Sequence, residues 1–132
     1  MCRGGIIVWE FADVLELRGF SFTGADGLTL NGVYGKTTRP LVGGCPVYFH
    51  VANTGATVYL WFVSSVGEFY WMIGPEKHIG TDTGFAYLQS PDRRPPNAVE
   101  PQSWLRLETG ETGLFVPDDD ALMRGELLLI VR

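Results

Sequence analysis

The chain has 132 residues, of which 45% are hydrophobic and 13% aromatic, and a formal net charge of −5 at pH 7. This length suits a single domain, residues 1–132, that buries about two-thirds of its unfolded surface without help from metal or disulfide, and its aromatic content excludes intrinsic disorder and coiled coil. The acidic balance, with no basic run beyond Arg93-Arg94, sets aside nucleic acid and anionic membranes as partners, because both are bound through a basic face.

Seventeen glycines and eight prolines scattered among aromatics point to many short strands and turns. The opening "MCRGGIIVWEF" is interrupted by Glu10 and is too short for a signal peptide or a membrane span. In "VLELRGFSF", Leu15 and Leu17 alternate with Glu16 and Arg18, and the parity flips across Gly19 to Phe20 and Phe22, as in a β-bulge. Asn31-Gly32 is a turn signal, and Val33-Tyr34 begins the next strand.

Gly43-Gly44-Cys45-Pro46 is a second turn, followed by alternation through Val47, Phe49 and Val51. Asn53-Thr54-Gly55 turns the chain again. Residues 57–63 and 69–73 are apolar on both faces, as central strands with both sides covered should be. Shorter strands are predicted at 85–88 and 104–107, and a last one at 126–131. "SPDRRPPNAVEPQ" holds four of the eight prolines and is read as a long surface loop. Only "PDDDALMRG" invites a helix, one or two turns near 118–124, with acids in its first turn and glycine past its end. The fold class expected is all-β: an antiparallel sandwich or partly closed barrel of about eight short strands.

Few constellations promise chemistry. Gly35-Lys36-Thr37 has the ending of a phosphate-binding loop, but the leading glycine would fall at Leu30. Thr38-Arg39-Pro40 does not open a helix, so the stretch reads as a turn with a solvated lysine. His50 and His78 lack metal-ligand spacing and read as surface or edge histidines. Asp118-Asp119-Asp120 suits a helix start better than a calcium loop, which needs six or more converging oxygens. Cys45 has no neighbouring cation to activate it and reads as a small buried residue. Two unpaired thiols, Cys2 and Cys45, fit a reducing compartment and a cytoplasmic protein. No catalytic residue, cofactor or metal site is assigned.

The aromatics carry the remaining signal. Asn31-Gly32-Val33-Tyr34, Pro46-Val47-Tyr48, Tyr59-Leu60-Trp61-Phe62, Trp71-Met72-Ile73-Gly74, Tyr87-Leu88-Gln89-Ser90 and Trp104 follow one another in a pattern. That pattern resembles a small all-β module of large multidomain proteins from protists, algae and some animals, and covers about Phe20 to Leu107. The resemblance implies an interaction or scaffolding piece and carries no catalytic residues over.

The function expected is therefore non-enzymatic protein interaction, within a cytoskeletal or other multidomain protein, with Tyr70, Arg93, Arg94 and Trp104 as contact residues. The alternative is a carbohydrate-binding module that stacks exposed rings on sugars.

Overall fold

In a computed structural model, residues 3–4, 7–8, 10–19, 30–51, 58–107, 115–118 and 120–125 are described. Eleven strands are assigned among them: β1 Arg3–Gly4, β2 Ile7–Val8, β3 Val14–Arg18, β4 Gly32–Lys36, β5 Tyr48–His50, β6 Val58–Ser65, β7 Glu68–Pro75, β8 Ala86–Ser90, β9 Trp104–Leu107, β10 Phe115–Asp118 and β11 Leu122–Gly125. β1 and β2 pair only with each other, and the other nine form one antiparallel sheet. No described helix is long and apolar enough to cross a membrane.

From β3 to β10 the sheet is a simple meander, each strand pairing with its sequence neighbour, and β11 then pairs with β3 at the opposite edge. Laid flat, the eight inter-strand gaps would separate the two edges by about 38 Å. Yet only residues 119–121 join the end of β10 to the start of β11, a reach of about 14 Å. The sheet therefore curls into a half-barrel.

Alternation sorts each strand onto the two faces of that curl. Leu15, Tyr34, Tyr48, Phe62, Trp71 and Trp104 point inward and are fully or almost fully buried. The loop 91–103 helps close this inner core. Val99 is part of it, Pro95 and Pro96 are buried, and the Trp71 indole donates to the Arg94 carbonyl at 2.9 Å. The surface loop expected here therefore also serves as a plug, because proline-rich backbone offers apolar rings and few donors that would need partners.

A second, smaller cluster lies on the outer face: Val47, Tyr59, Trp61, Val63 and Met72. The segment after β7 folds back over it, and the Trp61 indole donates to the Thr81 carbonyl at 2.8 Å. Gly84 permits the close approach, since a Cβ there would lie 2.6 Å from the Ile73 carbonyl oxygen. This explains why β6 is apolar on both sides from Val58 to Val63.

Several expectations need correction. No helix occupies 118–124: β10 ends at Asp118, and Leu122–Gly125 is a strand paired with β3. Ala121 and Met123 are buried while Leu122 and Arg124 are exposed, so the period is two rather than 3.6. The register sets Arg124 opposite Glu16, and tertiary pairing overrides the local helix signals.

Gly35 and Lys36 lie within β4 rather than in a turn, and the Lys36 ammonium donates to the Phe11 carbonyl at 3.0 Å, with Asp13 3.3 Å away. His50 is fully buried, neither surface nor edge. β5 runs between β4 and β6, so its inward side chains face the core. The ring meets Tyr34 edge-on at 4.7 Å, and Nε2 donates to the Asn31 carbonyl at 2.7 Å.

Cys45 is buried, as expected, and Gly43-Gly44 turns the chain between Val42 and Cys45 with both φ values positive. The flip at Phe20–Phe22, the turn at 53–55, Cys2, Asp119 and the final strand at 126–131 lie outside the described residues.

Candidate functional site

The outer face is covered over β5 and β6 but opens at β7 and β8 into a groove of about 380 Å3. Its wall is a row of partly exposed rings. Tyr70 of β7 and Tyr87 of β8 meet edge to face with centroids 5.2 Å apart, and Tyr87 meets Phe115 of β10 in the same way at 4.9 Å. Alternation puts Tyr70 on this face, because Phe69 and Trp71 on either side of it point to the inner core.

The polar lining is acidic, with Glu68 and Asp82. Glu68 Oε1 accepts from the Tyr70 hydroxyl at 2.7 Å and from Gln89 Nε2 at 3.0 Å. The Tyr70 phenol is pushed up to about 12, first by that bond to Glu68 and next by burial. Asp82 accepts from the Ser65 hydroxyl at 3.4 Å.

The lip is Val66, in the tight turn between β6 and β7. It is 97% exposed with φ +50°, a left-handed conformation that costs a β-branched residue about 1–2 kcal/mol.

The four residues expected to make contacts are not gathered into one site. Tyr70 alone lines the groove. Arg93 and Arg94 are held on the other side of the sheet, where the Arg93 guanidinium lies over Phe69 at 5.4 Å and donates to the Gly43 carbonyl at 3.0 Å. Arg94 grips Asp92 through two side-chain bonds of 2.8 and 3.1 Å, which keep that carboxyl below its usual range. Trp104 is 1% exposed and donates to Gln102 Oε1 at 2.9 Å, so it is a core residue rather than a contact residue.

No protein-family model, no curated protein and no solved structure matches the chain.

Glu68, Asp82, Tyr87 and Phe115 escaped the sequence reading as contact residues. For Glu68 the local signal is the alternation in "EFYW", which sends Glu68 and Tyr70 one way and Phe69 and Trp71 the other. That Phe115 and Asp82 join them depends on strand order and on the returning segment. Among the described residues no group of three or more His, Cys, Asp or Glu converges to hold a metal ion.

Proposed function

We propose that the chain is a non-enzymatic interaction domain that contacts a protein partner through the groove on the outer face of β7, β8 and β10. The observation that carries this reading is the row of Tyr70, Tyr87 and Phe115, partly exposed, beside two carboxylates in one concavity. Amphipathic rings at a desolvatable centre with a polar rim are the usual composition of a protein contact.

Carbohydrate binding is the weaker reading. Neighbouring rings in the groove cross at 80° and 69°, so neither touching pair forms a flat platform for a sugar chain. Taken with the sequence resemblance, the domain is proposed as a scaffolding piece of a larger cytoskeletal or multidomain protein in the cytoplasm. The partly closed barrel remains part of that proposal, with residues 119–121 linking the two sheet edges.

A photo-crosslinking residue placed at position 115, and separately at the exposed control position Leu41, tests the contact in native extract. Protein adducts should form at 115, be competed by unlabelled domain and be lost in Tyr87→Ser. Equal labelling at Leu41, or displacement by a glycan panel, would overturn the reading.

A further inference from the structure

Elsewhere in the fold two rings carry a cation of the protein's own, and the rings of the groove carry none. The Arg39 guanidinium lies over Tyr59, 4.6 Å from the ring centroid, and is tied to Glu76. On the inner side Arg93 covers Phe69 in the same manner at 5.4 Å. Both are cations seated on the negative face of an aromatic ring. Tyr70, Tyr87 and Phe115 have no such cation among the described residues.

The groove's carboxylates show the same deficit. The four ion pairs among the described residues join Arg18 to Glu16, Lys36 to Asp13, Arg39 to Glu76 and Arg94 to Asp92. None of them involves Glu68 or Asp82. Glu68 uses one oxygen for both of its hydrogen bonds, with Tyr70 and Gln89, which leaves Oε2 outside them. The concavity therefore combines ring quadrupoles and carboxylate charge of one sign, and both attract a cation.

Resting on the reading of this groove as a protein contact, we propose that its occupant is the lysine or arginine side chain of a basic partner segment. The alkyl stem would lie against Tyr87, Met72 and Val66, and the charged head would reach Glu68 and Asp82. In the complex the partner's cation would serve the rings of the groove as Arg39 serves Tyr59 elsewhere on the molecule.

The test is amide-resolved NMR of the full chain titrated with a short lysine- and arginine-containing peptide. A matched peptide carries norleucine at each basic position. The basic peptide should shift residues 68, 70, 87 and 115 saturably and weaken as salt rises. Glu68→Gln and Asp82→Asn should each weaken it about two- to fivefold, a range set by exposed ion pairs and cation–ring contacts. Both variants keep side-chain size, so an unchanged amide spectrum away from the groove confirms that they fold.

Equal binding of the norleucine peptide, or no effect of the two charge variants, would overturn the cation proposal while leaving the contact reading standing. If neither peptide moves the groove and a glycan does, both fall.

Discussion

Tyr70 and Trp104 are alike as residues in the sequence, two aromatics in short alternating strands. They differ in what their polar atoms meet. The Trp104 indole is answered inside the fold by Gln102, whereas the Tyr70 hydroxyl is answered at the surface by Glu68. That surface bond has a measurable consequence. Because the folded chain holds the Tyr70 proton more tightly than an ordinary phenol of pKa 10.0, the stability it lends is full below pH 10.0 and is lost as pH rises toward 12. Ultraviolet titration of phenolate absorbance, assigned with Tyr70→Phe, should show the Tyr70 step near 12. In Glu68→Ala the step should fall toward 10.0. A step that stays near 12 in that variant would mean that Glu68 is not its cause.

At the scale of elements, the edges of the sheet decide most. β10 carries Pro117, which lacks an N–H to offer a neighbouring strand, as befits an edge. β11 is held differently. The Gln102 side chain donates to the Met123 carbonyl and accepts from the Met123 N–H, each at 2.8 Å, in the manner of a neighbouring strand. It also accepts from Trp104, so one amide joins β11, the inner core and the 91–103 loop. Gln102→Ala would leave three polar groups without this partner and should cost about 2–4 kcal/mol in chemical denaturation. Gln102→Glu keeps the acceptor but loses the donation to Met123, and should fall between the two. A Gln102→Ala midpoint equal to the parent's would show that water replaces the amide at no cost. The helix expected over 118–124 failed for the same reason that Gln102 matters. Acidic residues followed by "ALMRG" satisfy the local rules for a helix start, but β3 offers hydrogen bonds and a buried place for Met123.

For the whole molecule, the inner and outer clusters are the two faces of one sheet rather than separate cores. Trp71 and Trp104 report on the inner one, and Trp61 on the outer. β6 and β7 contribute to both, so neither cluster should survive loss of the other. Denaturation followed by fluorescence in a Trp9→Phe/Trp61→Phe variant, and separately in a Trp9→Phe/Trp71→Phe/Trp104→Phe variant, should give a single transition coincident with that of circular dichroism in each. An outer-face signal that melts first would show that the segment over Trp61 unfolds independently. A sheet of this connectivity also explains the curl, because β11 pairs with β3 only if the ends of the meander are brought together.

Period-two alternation and turn residues made the all-β class legible, along with the strands from Val14 through Leu107 and the burial of Cys45. These are consequences of neighbours two to four residues apart, which any reader of the chain can pair. The apolar two-faced strand at 58–63 even announced that something must cover the second face. What covers it, and where the covering stops, depended on contacts between distant segments: Gly84 against Ile73, Thr81 against Trp61, and Phe115 against Tyr87. The same holds for Trp104, whose burial comes from strand order and from Gln102. Alternation assigns each side chain a face, but only the three-dimensional register decides which faces are filled by the protein itself and which stay open.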